Sequence, residues 1–333
     1  MATFVRVQEV EHEIGAGGRF TLRVTSPDVE LRGIDGTTAR VRIEYELRAG
    51  TDAEADEAFE SIQYRVQRAD GLLEVTEPRR PDHGLGSIGR LLGISGVRVE
   101  TRVVAEIPES AAIAYTGVSA DVTGIGLRGT QEYRTVSGDL VLSDLGGPIR
   151  VTGVSSDVSL RAEEPIRLHA NSVSGDLSVI APCIDECRVV TVSGDVELEG
   201  DLVAAHHRVE TVSGDLSLGI VGGLVLEVRG LSTDVDVNVA HRSEGSRDRR
   251  RYVIGDGAAQ LQFSSMSGDV VVHAARRIAM PASPVPPIAP EPPAPPTPPL
   301  SPDAQLAVLQ ALERGDIDVD EATRRLSGVD GDA

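Results

Sequence analysis

One short string, written five times, carries most of the chemistry this sequence could perform. VSGDL stands at 136–140, 173–177 and 212–216, VSGDV at 192–196 and MSGDV at 266–270. Each copy sets a carboxylate, that of Asp139, Asp176, Asp195, Asp215 or Asp269, beside a glycine and a serine. Two kinds of chemistry fit these residue types. Carboxylates stacked at the spacing of neighbouring strands, about 4.8 Å, repel by roughly 1 kcal/mol per pair in water. A ladder of bridging Ca²⁺ ions would relieve that repulsion. The other reading is structural. Ser and Asp side chains hydrogen-bond the amides of a turn, and Gly permits the positive φ of a tight corner. It accounts for all three letters, so the five aspartates are read as turn braces.

A second constellation is found by counting back from each Asp. Cys187 lies eight residues before Asp195 and His207 eight before Asp215, with Cys183 four residues upstream of Cys187. In a regular repeat Cys187 and His207 occupy equivalent places one strand spacing apart. Two thiolates and an imidazole are the ligand types a soft ion such as Zn²⁺ takes. Cys183, Cys187 and His207 are therefore the candidate metal set, with His206, Asp185 or water as a fourth ligand. The competing reading is two reduced, partly buried thiols beside an ordinary histidine. No cofactor is implied by any other motif.

These residues must be held by something periodic. Degenerate copies, VSADV, VSSDV and LSTDV, add Asp121, Asp157 and Asp234, and the eight aspartates are spaced 18, 18, 19, 19, 20, 19 and 35 residues apart. TSPDV at 25–29 reads as a divergent early copy. Within a unit the apolar residues alternate: Val136, Leu140 and Leu142, then Val173, Leu177 and Val179, share one parity. A second apolar run closes each unit, as at Ile149 and Val151 or Ile166 and Leu168. Period two means strands with one buried face, and two short strands per unit of about 19 residues describe one coil of a parallel β-solenoid, right-handed by default. The 35-residue interval, which contains HRSEGSRDRRRYVIGDG, reads as an enlarged, insertion-bearing coil.

The fold class is thus all-β: a β-solenoid, or β-helix, over 108–280, preceded by an irregular β-rich cap and first coils over 1–107. Strand-like runs fall at 4–10, 19–25, 38–48, 71–76 and 97–107. TDAEADEAFESIQYRV is the one helical stretch among them, capped by Thr51 or Asp52, with Ala55, Ala58, Phe59 and Ile62 on one face. Residues 281–302 hold 12 of the 19 prolines. They form a semi-rigid linker of up to roughly 68 Å at about 3.1 Å per residue. Beyond it, 303–328 reads as a small α-hairpin. Ser301 and Pro302 start it, Leu306, Leu309 and Leu312 form one face, Gly315 ends the first helix, and Ile317 and Leu326 belong to the second half. Helices this short need a partner, so these leucines and Ile317 are the candidate contact residues for a protein partner or for self-association.

Composition narrows the function classes. The net charge is −20, and all 32 basic residues are arginine. That balance disfavours nucleic acid and anionic lipid surfaces as partners. Trp is absent and Phe and Tyr number four and five, so the core is aliphatic and stacking platforms for sugars are few. No secretory signal or apolar run long enough to span a membrane is visible, and two cysteines do not make a disulfide framework. A cytoplasmic chain with no direct membrane span is expected. GLGSIG at 84–89 matches a dinucleotide fingerprint in letters, but it follows PRRPDH and opens no helix. The loop beyond it is apolar, and RDRRR at 247–251 reads as a solvated basic loop tip.

The VSGD-type repeats over roughly 20–275 resemble the bacterial putative-adhesin family, defined by a β-strand repeat with S-G-D turns. The segment LAVLQALERGDIDVDEATRRL is similar to SHOCT-like helical hairpins, matching at Leu309, Leu312, Gly315, Ile317, Glu321 and Ala322. The resemblance implies an all-β repeat domain of largely unknown function, with links to adhesion and to cell-envelope stress. The expectation is a non-enzymatic scaffold that binds a protein, a glycan or an envelope component. A self-assembling, bactofilin-like scaffold and a polysaccharide-acting β-helix enzyme are the alternatives.

Overall fold

The computed structural model describes residues 2–78, 98–203, 205–246 and 249–275, together with 310, 311 and 314. The chain divides into two units, Met1–Pro281 and Ala282–Ala333. Of the second unit only Gln310 and Ala311, which are helical, and Arg314 are described. The Pro-rich linker and the hairpin residues Leu306, Leu309, Leu312, Ile317 and Leu326 lie outside the described residues, as does the GLGSIG loop.

The first unit opens with β1 (Ala2–Glu13), β2 (Arg19–Arg23), β3 (Asp28–Ile34), β4 (Thr38–Ala49), α1 (Asp52–Ile62), β5 (Arg65–Ala69), β6 (Leu72–Thr76) and β7 (Arg98–Pro108). The repeats occupy β8 (Ala112–Thr116), β9 (Val122–Ile125), β10 (Gln131–Arg134), β11 (Leu140–Thr152), β12 (Val158–Asn171), β13 (Leu177–Val190), β14 (Val196–Leu202), β15 (His206–Glu210) and β16 (Leu216–Ile220). The unit closes with β17 (Leu224–Ser232), β18 (Val235–Val237), β19 (His241–Ser246), β20 (Arg249–Ile254), β21 (Ala259–Ser267) and β22 (Val270–Ala274).

Pairing sorts these strands into two stacks of a β-solenoid. The first runs β1–β4–β7–β3–β9–β11–β12–β13–β14–β16–β22–β18. The second runs β5–β6–β2–β8–β10–β11–β12–β13–β15–β21–β17–β20–β19. Strands β11, β12 and β13 are long enough to serve both, bending at register shifts between Leu142 and Gly147 and between Arg161 and Arg167. Pairing between coils is parallel, and the antiparallel pairs belong to the two ends. The inward rungs are aliphatic, such as Leu140, Leu142, Leu160, Val179 and Leu198, and each is buried. Removing one such side chain from water contributes about 1.5–3 kcal/mol. The few aromatics are spent inside: Phe20, Tyr45, Tyr115, Tyr133 and Phe263 are fully buried.

The N-terminal cap is held by α1. Thr51 and Glu54 form a reciprocal capping box, Ala55 and Ala58 are buried, and the Phe59 ring meets Tyr45 edge-on at 5.2 Å. Arg6 on β1 ties the helix down through Asp52 and Asp56, each at 2.6 Å. The outer strands β5 and β19 are short and charged, which blunts the exposed edges of the second stack.

One expectation is corrected here. The 35-residue interval is not an enlarged coil. Strand β21 lies between β15 and β17, and β22 lies between β16 and β18. The coil that comes last in sequence is therefore inserted before the coil that precedes it. The extra residues form the antiparallel pair β19–β20, which seats on β17 as an end cap. Arg249–Arg251 are consequently strand residues of β20 and not a loop tip, while residues 247 and 248 are outside the described set. The same exchange occurs at the other end, where β2 lies between β6 and β8 and β3 lies between β7 and β9.

Candidate functional site

The corner between the stacks is built by the VSGD residues. Each aspartate carboxylate except that of Asp234, on the outermost coil, accepts a hydrogen bond from the backbone N–H of the aspartate one coil further on. Asp139 N–H donates to Asp121 Oδ1 at 2.9 Å, Asp176 to Asp157 at 2.9 Å, Asp195 to Asp176 at 2.8 Å and Asp215 to Asp195 at 2.9 Å. Asp157 donates to Asp139 at 3.3 Å. The ladder then follows space and not sequence: Asp269 donates to Asp215 at 2.7 Å and Asp234 to Asp269 at 3.0 Å. The braces thus join neighbouring coils, where a cap would have closed each turn on itself. That second task falls to the residue before the motif: Thr135, Ser172 and Thr191 donate to the carbonyls of Ser137, Ser174 and Ser193.

The glycine answers two demands. Gly138, Gly175 and Gly194 have φ of 114°, 108° and 138°, which L side chains rarely adopt. A Cβ at Gly175 would also sit 2.2 Å from the Ser156 carbonyl oxygen, and one at Gly194 2.2 Å from that of Gly175. Where the third letter does carry a side chain, as at Ala120, Ser156 and Thr233, the residue before the motif is glycine: Gly117, Gly153 and Gly230. In these three units the sequence thus exchanges the glycine between the two positions. At Gly230 a Cβ would meet Thr233 Oγ1 at 2.1 Å.

The first letter behaves differently from the parity expectation. Val136 and Val173 do not join Leu140 and Leu177 in the core. The chain turns at each corner whether the third letter is glycine or, as at Ser156, not, and Val118, Val136, Val154, Val173, Val192, Val212, Met266 and Leu231 point outward, 43 to 83% exposed. Bonds such as Ser155 N–H to Val136 O and Ser174 N–H to Val154 O keep them in register. They form one apolar ridge over eight adjacent coils, about 34 Å long at strand spacing. A row of serines and the aspartate ladder flank it.

The Cys–His register is as counted: Cys187 and His207 are adjacent on β13 and β15, and both are buried. His207 Nδ1 accepts from the Cys187 backbone N–H at 3.1 Å, and Nε2 lies 3.0 Å from the Val203 carbonyl. The network places the proton on Nε2 and leaves no ring lone pair for a metal. Burial lowers the pKa of His207, which holds it neutral. Burial pushes the Cys187 thiol up to about 12, and burial together with nearby Asp185 pushes Cys183 up to about 11. Cys183 contacts Asp185 at 3.7 Å and does not join the other two; among the described residues no group of three or more His, Cys, Asp or Glu could hold a metal ion.

A further feature lies on the outer face of the second stack. Seven residues before each aspartate from Asp139 onward stand Glu132, Arg150, His169, Arg188, Arg208, Gln262 and Glu227. Registration sets them side by side in that order, and Arg251 continues the row. Two depressions, of about 370 and 270 Å³, meet at Glu186 along this row. Counting back from each Asp would have found it in the sequence, just as it found Cys187 beside His207. The ridge, by contrast, could not be told from a core row by parity.

Solved structures resembling the chain include a putative lipid binding protein from Parabacteroides distasonis, 13% identical, covering 80% of this chain and 96% of that one at TM-score 0.44. A putative adhesin from Bacteroides fragilis is 12% identical, with 80% and 97% covered at TM-score 0.44. A putative cell adhesion protein from Clostridium sporogenes is 11% identical, with 81% and 99% covered at TM-score 0.22. No curated protein matches. The match that decides membership spans residues 19–273, from the first strand of the coil stack through the last: the chain belongs to the Toastrack DUF4097 family.

Proposed function

We propose that this chain is a non-enzymatic binding scaffold, a rigid β-solenoid that holds a macromolecular partner along its side. The apolar ridge from Val118 to Leu231 carries the reading. Its rungs from Val118 to Met266 sit on backbone tied to the neighbouring coils, so the surface is offered without the entropic cost of ordering a loop. A partner that fits has an apolar groove bordered by cationic groups, to meet the flanking aspartates. Seating of α1 on the N-terminal strands and the short, charged edges support lateral binding over end-to-end, bactofilin-like stacking. In this reading the segment after the linker recruits or oligomerises.

Thiol labelling inside the native cell tests it. Cysteine is placed at Val154, Val173 or Val192 on the ridge, or at Val141 on the first stack as a control. The native thiols give little background, since their ionisation is suppressed. Ridge positions are expected to label several-fold more slowly in cells than in the purified chain, while the Val141 position labels alike in both. Equal rates at the ridge in the two settings would end the proposal. Comparing permeant with impermeant reagents reports the compartment.

A further inference from the structure

The outer face of the second stack is a site of a different kind, independent of the ridge. The two depressions are lined by Arg150, Arg167, Arg188, Arg208 and Arg251 against the carboxylates Glu186 and Glu227. This is an excess of positive charge on a chain whose net charge is −20. Structural pairing does not account for it. Arg208 has Glu210, and Arg167 lies 3.8 Å from Asp185. Arg188 and Arg251 have no carboxylate partner among the described residues, and Arg150 makes only a 3.5 Å contact, to His169. Arg188 and Arg208 stand on adjacent strands, where like charges repel, and an anion laid over them would relieve that repulsion.

The shape is linear. From Arg150 on β11 to Arg251 on β20 there are six interstrand steps, about 29 Å. The ligand is therefore extended and anionic. Its chemistry is narrowed by what stands between the arginines. Glu186, Glu227, Gln260 and Gln262 line the same depression, and carboxylate and amide oxygens need donors. A polyphosphate offers none at neutral pH, whereas a chain of sugars bearing both hydroxyls and carboxylates offers both. Guanidinium groups pair with the carboxylates in a bidentate fashion, and Glu and Gln accept from the hydroxyls. An acidic peptide would require an apolar anchor, and the apolar residues lining the depression, Cys187, Val225 and Leu261, are all buried. We infer that the row centred on Arg188 and Arg208 binds an acidic polysaccharide of the uronate type, laid across the strands.

The test is fluorescence anisotropy of labelled oligogalacturonate with the purified full chain at about 50 mM salt, where surface charge is least screened. Polyglutamate, polyphosphate and dextran serve as competitors. Binding is expected, with competition strongest by unlabelled oligogalacturonate. R188E/R208E should weaken it by about tenfold or more, while R40E/R42E, on the first stack, should change it less than about twofold. R188Q, which adds no repulsion, should give a smaller loss in the same direction and covers the event that the double reversal misfolds. No binding, equal loss from R40E/R42E, or competition by polyglutamate or polyphosphate as strong as by oligogalacturonate would overturn the assignment. None of these results bears on the ridge.

Discussion

Replacing Asp176 by Asn and by Ala separates the two things its carboxylate does. It accepts from the Asp195 amide at 2.8 Å, and it stacks between the like charges of Asp157 and Asp195. At about 4.8 Å in water each like-charge contact costs about 0.9 kcal/mol, which salt at about 0.15 M roughly halves. Removing the charge relieves two such contacts, or about 1 kcal/mol. The hydrogen bond contributes a similar amount at this exposed corner. Asn keeps an acceptor oxygen and loses the charge, so Asp176→Asn should match the parent or exceed it by up to about 1 kcal/mol. Asp176→Ala loses both and should fall below the Asn variant by about 1 kcal/mol, about 2 °C in melting temperature for a fold of this size. Thermal melting of the three chains measures this, and amide exchange at Asp195 should quicken in the Ala variant only. Asn and Ala variants equally destabilised would refute the reasoning. The charge itself would then be needed, as in a cation ladder, and millimolar Ca²⁺ should raise the melting temperature of the parent but not of the Asn variant.

Three other outcomes follow from the geometry. Gly175→Ala forces a Cβ against the Ser156 carbonyl at a φ of 108° and should cost about 2–4 kcal/mol by thermal melting; S172G/G175S, which reproduces the Gly153–Ser156 pattern, should melt higher than Gly175→Ala. His207 has a folded pKa below its unfolded value, so its contribution to stability is present above the unfolded pKa and is lost as pH falls toward the folded one. Melting temperature should therefore drop between about pH 7 and 5, and His207→Gln should flatten that slope while lowering stability at neutral pH through the Cys187 amide and Val203 carbonyl it leaves poorly paired. A chain ending at Asp256 lacks β21 and β22, so β15 and β17 lose their common neighbour. Circular dichroism and sizing should show loss of cooperative folding, and a soluble, fully cooperative fragment would contradict the observed coil order.

How much of this could be read beforehand depends on what periodicity measures. Counting from Asp139, Asp176 and Asp195 gives a register, and register is a property of a repeat that survives folding intact; hence Cys187 stands beside His207 as counted. Parity is less robust. It assumes an unbroken strand, and the corner between the two strands of a coil shifts the alternation, at Ser156 as at Gly138 or Gly175, which turns Val136, Val154 and Val173 out of the core. The metal reading of Cys183, Cys187 and His207 rested on residue types in register. Ring nitrogens spent on the Cys187 amide and the Val203 carbonyl are a matter of backbone position, which no spacing encodes.

The coil order at the ends is the harder case, because spacing along a chain cannot distinguish an insertion from an exchange. Thirty-five residues between Asp234 and Asp269 fit one long coil or two coils that swap places around a hairpin. The difference is energetic. In a simple solenoid the segment where the chain leaves the stack is also the outermost coil, paired on one side and prone to fray. Here that segment, Ala259–Ala274, is paired on both sides, and the outermost coil, β17 and β18, is continuous with the chain at both of its ends. Strands β2 and β3 occupy the matching place at the other end, between the β6–β7 coil and the β8–β9 coil. Opening Ala259–Ala274 must break two sets of strand pairings, where a simple end would break one. The exchange locks the last coil into the stack and leaves the ridge from Val118 to Met266 and the arginines from Arg150 to Arg208 on coils paired on both sides, while β1 and β18 are the edge strands of the first stack and Leu231 stands on the outermost coil.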